Sequence, residues 1–145
     1  MRDQEQLSRD NLGWLLAKSS QRWNEVLADQ FRDAGFPEVR PSFGSVLVPL
    51  YERDGLRMGE LARCSGLSKQ ALTTLVRKVE AAGLVVRTPD PKDARAVRVT
   101  LTERGEELRP VAEHVLSELE ARVRMRLSET DLARVVDALR KVMEL

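Results

Sequence analysis

Two short amphipathic segments separated by Ser65-Gly66-Leu67, with two β-branched stretches directly behind them, restrict what this chain can fold into more than any other feature. Gly59 to Cys64 reads as a short helix with Leu61 and Ala62 turned inward. Ser68 then suits an N-cap, because its hydroxyl can accept a bond from a free amide of the first turn. Behind it Leu72, Leu75, Val76 and Val79 fall at i, i+3, i+4 and i+7, and Ala82-Gly83 closes the run where glycine is favoured just past a helix end. The spacing predicts a helix from about Ser68 to Ala82. Two short helices around a glycine turn form a helix-turn-helix pattern.

Leu84 to Arg87 and Val97 to Leu101 follow as strands, the second alternating Val97, Val99 and Leu101 against Arg98 and Thr100. Between them Thr88 to Arg95 reads as a polar loop carrying Pro89 and Pro91. A hairpin placed directly after a helix-turn-helix is a wing.

Both flanks read as helical. From residue 10 to 34, Leu12, Leu15, Leu16, Trp23, Val26, Leu27 and Phe31 recur at broadly helical spacing ahead of Gly35 and Pro37. Ser42 opens a shorter apolar segment, Phe43 to Tyr51, in which Pro49 predicts a kink or an early end. Thr102 caps a long helix with the stripe Leu108, Val111 or Ala112, Val115, Leu119, Val123 and Leu127, Pro110 marking a kink near its start. Ser128 and Asp131 resemble a capping box, with Leu127 able to staple onto Leu132, and the last helix carries Leu132, Val135, Val136, Leu139, Val142 and Met143. The expected fold is therefore mainly α with a small β-hairpin wing, a single domain over 1–145. Within it the winged helix-turn-helix covers about 42–105. Helices at about 8–35 and 106–145 each keep one apolar face, and pairing them between two subunits is the simplest way to bury those faces.

No apolar run approaches the roughly 18 residues that span a membrane, and Met1 to Asp10 is too polar for a secretory signal, so a cytoplasmic address is expected. One Cys and one His leave no internal disulfide and too few soft ligands for an ordinary zinc site. No metal or cofactor is expected. Neither a glycine-rich phosphate loop nor a nucleophile elbow is present, which argues against an enzyme. The net charge of +1 conceals an uneven distribution: −1 over 1–51, −2 over 105–145, and +4 over 52–104, where eleven Lys and Arg face seven Asp and Glu. The positive field lies in the helix-turn-helix and the hairpin.

On the helix from Ser68, the inward stripe leaves Lys69, Gln70, Thr73, Thr74, Arg77 and Lys78 on the other side. Gln can bond bidentately to adenine, Thr can meet a thymine methyl, and Arg can fork onto guanine or hold a phosphate. Gln70, Thr73, Thr74 and Arg77 are thus candidate base readers in a major groove of double-stranded DNA, with Ser68 and the helix N-terminus suited to a phosphate. In the wing, Lys92 and Arg95 lie where a side chain could enter the minor groove, flanked by Arg87 and Arg98, while Asp93 is better placed to orient Arg95 or the loop backbone. A solvated helix face and ordinary exposed lysines are the alternative. So is a winged helix used only to bind protein, which would have no need of this set of side chains on one face.

Trp14, Trp23, Phe43 and Tyr51 concentrate aromatic groups in the first third. They read either as core and dimer packing or as walls for a small apolar or aromatic effector. Cys64 reads as a small buried hydrophobe, an oxidant-sensing thiol being the alternative, and His114 as a surface residue.

Taken together, Gly59 to Gln70, Leu75 to Val85, Asp90 to Ala96 and Val99 to Gly105 resemble the MarR family, the multiple antibiotic resistance regulators. The wing run Asp90-Pro91-Lys92-Asp93-Ala94-Arg95 is the more specific part, with Asp93 and Arg95 matching the family's motif and Ala94 standing where a second arginine is common. The resemblance spans about residues 42–108 and implies a homodimeric repressor on a pseudo-palindromic operator, often released by a small ligand.

Overall fold

A computed structural model describes residues 7–145; the first six residues of the polar N-terminal stretch lie outside the described residues. Helix α1 (Leu12–Asp33) starts where the Asn11 side chain accepts from the Trp14 amide at 2.9 Å. It ends at Ala34, after which Gly35 takes φ 91°, a conformation that costs glycine least, and the Phe36 amide bonds back to the Phe31 carbonyl. A 3-10 turn, Pro41–Phe43, leads into α2 (Gly44–Glu52). Of the two outcomes expected at Pro49, a kink or an early end, the early end does not occur, and the helix runs on to Glu52. Pro49 lacks an amide to bond back to Ser45, but its own carbonyl accepts from Arg53 at 2.9 Å, so the last turn closes.

Strand β1 (Leu56–Arg57) precedes the two central helices, α3 (Met58–Ser65) and α4 (Lys69–Ala81). The turn between them rests on Gly66 at φ 69°. Ser68 caps α4 as expected, its Oγ accepting from the Ala71 amide at 3.2 Å. Strands β2 (Val85–Asp90) and β3 (Asp93–Leu101) then form the hairpin, and β1 adds to its other side to give an antiparallel sheet of order β1-β3-β2. Two expectations are corrected here. The wing is built on three strands rather than two, and the segment read as an eight-residue loop is mostly strand, leaving Pro91 and Lys92 between the strands. Proline fits because β2 is an edge strand, whose outward amides have no ladder partner to lose.

Helices α5 (Glu103–Arg124) and α6 (Glu129–Val142) complete the described chain, capped by Thr102 and Ser128. Pro110 lies inside α5 without dividing it. The core joins Val46 and Leu50 of α2, Leu61 of α3, Leu72, Val76 and Val79 of α4, Leu84 just before the hairpin, Val85 and Val99 of the sheet, and Leu108 of α5. Farther along, Leu27 and Phe31 of α1 pack with Val115 and Leu119 of α5. Val97 departs from its expected inward place, being 39% exposed, because at that register β3 has already left the core and paired with Pro89 in the projecting wing.

The junctions on either side of the hairpin are stapled together. Thr102 Oγ1 donates to the Gly83 carbonyl at 2.6 Å and accepts from the Gly105 amide, while the Thr102 amide donates to the Leu84 carbonyl. Gly105 is buried there, and a Cβ at that position would meet the Leu84 oxygen at 2.2 Å. The wing and α4 thereby keep a fixed relation to α5.

Candidate nucleic-acid interface

Helix α4 buries Leu72, Val76 and Val79 and turns Gln70, Thr74 and Arg77 the opposite way. These three follow at i, i+4 and i+7, so they form one continuous ridge along the exposed side. Lys69 and Lys78 flank it, also exposed, and Thr73 is half-buried at its margin. The Thr73 and Thr74 hydroxyls donate to the Lys69 and Gln70 carbonyls one turn back, at 2.8 and 3.1 Å. Each threonine therefore offers outward a methyl group and an acceptor lone pair, its proton being used within the helix. Ser68 is exposed at the helix start, with its oxygen engaged by the Ala71 amide.

The wing is held by a residue named above only as part of the wing run. Asp90, only 3% exposed, lies at the end of β2. One of its oxygens accepts from the Lys92 amide at 2.9 Å; the other lies 2.5 Å from the Arg57 guanidinium and 3.3 Å from Arg98 Nε. The Lys92 amide bond and the two guanidinium groups hold its carboxyl below the ordinary 3.8, outweighing desolvation. Arg98 also donates to the Gly55 carbonyl at 2.7 Å, so β1, β3 and the wing turn close on one carboxylate. An aspartate two residues before an amide that needs an acceptor was the available signal.

Beyond that anchor Lys92 and Arg95 are exposed at and beside the turn. The Arg95 amide donates to Asp93 Oδ1 at 3.0 Å, which orients the strand as expected for Asp93. Arg87 is engaged differently from Arg95. Its amide and its guanidinium both bond Glu80 of α4, at 3.1 to 3.4 Å, an arrangement that lowers the Glu80 carboxyl and joins α4 to β2.

The four aromatic candidates are spread over separate surroundings. Trp14 is exposed under the Lys18 ammonium, 4.7 Å from its ring centre. Trp23, nine residues on and hence on the opposite side of α1, lines a groove of about 510 Å³ between α1 and α5. Phe43 is core, and half-buried Tyr51 donates to the Gly105 carbonyl at 2.7 Å. Burial, chiefly, together with Glu106 pushes the Tyr51 phenol up to about 12. Cys64 is exposed, which corrects its reading as a buried hydrophobe: it stands one residue before the end of α3 and opens onto a surface cavity shared with Pro49, Glu52 and Arg63. His114 is exposed as expected and lies 3.3 Å from Glu118.

A profile described as the MarR family matches residues 45–96, the stretch from α2 through the wing. An HTH-type transcriptional repressor of Mycobacterium tuberculosis is 40% identical over 103 residues, spanning 62% of this chain and 74% of the relative. Among solved structures, the transcriptional repressor CouR bound to a 23-mer DNA duplex superposes with a TM-score of 0.78 at 23% identity, covering 94% of this chain and 98% of the other. The PcaV transcriptional regulator from Streptomyces coelicolor, in complex with its natural ligand, gives 0.78 at 19% identity over 95% and 96%. At these identities the two structures establish the fold.

Proposed function

Since the chain belongs to the MarR family of winged-helix transcription regulators, we propose that it is a repressor that binds a pseudo-palindromic operator in double-stranded DNA as a homodimer. The observation that carries this reading is the exposed ridge Gln70, Thr74 and Arg77 on α4, the side chains of which can bond base edges, set beside a wing tipped by Lys92 and Arg95. Ser68, Lys69 and Thr73 at the margin of that ridge are assigned to phosphate and sugar contacts, which fix register without carrying sequence. Arg87 acts mainly through Glu80, holding β2 to the reading helix.

Dimerisation is supported by what the monomer leaves uncovered. No residue of α6 is buried, and Val135, Val136 and Leu139 are exposed on it, while Leu12 and Leu15 of α1 are 63% and 47% exposed. Two-fold pairing of these faces would set two α4 helices on half-sites about one helical turn apart, near 34–36 Å. A small effector that prefers a dimer with those helices wrongly spaced would release the DNA by its differential affinity for that state. The groove beside Trp23 between α1 and α5 is the candidate place for it among the aromatic sites.

Fluorescence anisotropy against the protein's own upstream intergenic DNA and a scrambled duplex, at two salt concentrations, tests the reading. A preference for the upstream DNA and an affinity that falls steeply with salt are expected. Equal, salt-insensitive binding to both duplexes contradicts it and favours the protein-interaction alternative.

A further inference from the structure

Between α3 and the wing runs an open cleft of about 470 Å³ lined by Arg57, Glu60, Arg63, Arg95 and Val97. Its charges are unbalanced. Glu60, the one carboxylate among its lining residues, is already held by the Arg53 side chain and by the Arg57 amide at 3.2 Å, which keep its carboxyl below the ordinary range. Arg57 itself is turned to Asp90. Among the described residues Arg63 and Arg95 have no carboxylate within ion-pairing distance, although each is exposed on an element fixed in place. The Arg63 side chain lies along its own helix toward the start of α3: a Cβ on Gly59 would come within 3.9 Å of its Nη1. Two guanidinium groups from different elements therefore face one cleft, whose single lining carboxylate, Glu60, bonds the Arg57 amide and Arg53 and feels Arg63 only as a weaker charge.

We infer that this cleft seats a phosphate of the DNA backbone, with Arg63 as a positioning residue that clamps it from α3 while Arg95 reaches onward from the wing. The inference rests on the DNA-binding reading above and extends it to a residue outside the reading helix and wing. Its chemistry suits a phosphate because guanidinium forks onto phosphate oxygens bidentately, and the first helix of a helix-turn-helix runs across the backbone rather than into the groove. A phosphate clamp carries no sequence information, so Arg63 would set how firmly the protein sits and leave what α4 reads unchanged. Glu60 is engaged by Arg53 and the Arg57 amide and forms no ion pair with Arg63 among the described residues.

The test is the salt dependence of DNA affinity for wild type, Arg63→Ala and Arg63→Lys, each on upstream and scrambled duplexes, with thermal unfolding to confirm the fold. The expected result is that Arg63→Ala weakens both duplexes alike, by about three- to tenfold per subunit contact, and lowers the slope of log affinity against log salt by about one per contact. Arg63→Lys, which keeps the charge, retains most of the slope. Wild-type affinity and slope in Arg63→Ala overturn the inference, and so does a loss confined to the upstream sequence, which would make Arg63 a base reader. A wild type that binds neither duplex removes the DNA-binding reading itself, an outcome separate from either of these.

Discussion

Asp90 and Arg57 meet at 2.5 Å, joining the end of β2 in the wing to the strand that leads into α3. Because the same carboxylate takes the Lys92 amide and faces Arg98, removing its charge would take the ion pair from Arg57, leave Arg98 only the Gly55 carbonyl and weaken the acceptor of the wing turn. Asp90→Asn should loosen the wing while leaving the helices folded. Hydrogen exchange would show protection lost at Lys92 and Arg95 and retained at Val76 and Val79, with DNA affinity reduced several-fold. Unchanged exchange in the wing would argue against the anchor.

The same carboxyl gives a pH dependence. Its value in the folded protein lies below the ordinary 3.8, so ionised Asp90 stabilises the wing fully above that pH. The contribution is lost as pH falls through the depressed folded value. Carboxyl chemical shifts followed from pH 6 downward should put the Asp90 midpoint below 3.8, with the wing amides moving in step. A midpoint at or above 3.8 would contradict the geometry.

Gly105 tests the staple at the base of the wing. A methyl group there has no room against the Leu84 carbonyl, which is backbone and already bonded to the Thr102 amide. Gly105→Ala should cost about 2 kcal/mol or more by forcing α5 away from the β2 junction, despite alanine's better helix propensity. Urea unfolding measures this directly, and a stabilised variant would contradict the close approach.

Tyr51 reports on the same junction from the other side. It is the chain's one tyrosine, so its ionisation can be followed by ultraviolet absorbance without interference from another phenol. The folded protein should ionise it near 12, and the urea-unfolded chain near 10. The neutral phenol's contribution is fully present below pH 10 and lost as pH rises toward 12. Tyr51→Phe, which removes the bond to the Gly105 carbonyl, should cost about 1 kcal/mol. Equal midpoints in the two states would sink the assignment.

The parts of this fold with strong local grammar could be read from the chain. Ser68, Thr102 and Ser128 cap the helices they were expected to cap, and Leu72, Val76 and Val79 form the buried stripe of α4. What escaped reading depended on partners distant in sequence. Leu56 and Arg57 are too few to show an alternation, and they are a strand only because Val99 and Arg98 lie opposite. Pro89 signalled a loop where an edge strand tolerates proline, while Pro91 does lie in the turn. Asp90 looked like a loop aspartate, since its burial requires arginines 33 residues before it and 8 after it to converge. At the interface, the basic wing and the outer ridge of α4 were legible as types and spacings, whereas the Arg87 pairing with Glu80 and the cleft beside Arg63 arise from packing.

Sequence reading by the outer ridge of α4 is tested by the affinity ratio between upstream and scrambled DNA for wild type and Arg77→Ala. If Arg77 contacts a base, the ratio should fall by about tenfold or more per contact, because binding to the preferred sequence weakens while binding to the scrambled duplex changes little. An unchanged ratio, with or without a uniform loss of affinity, would contradict base reading by Arg77 and move the reading function away from this ridge.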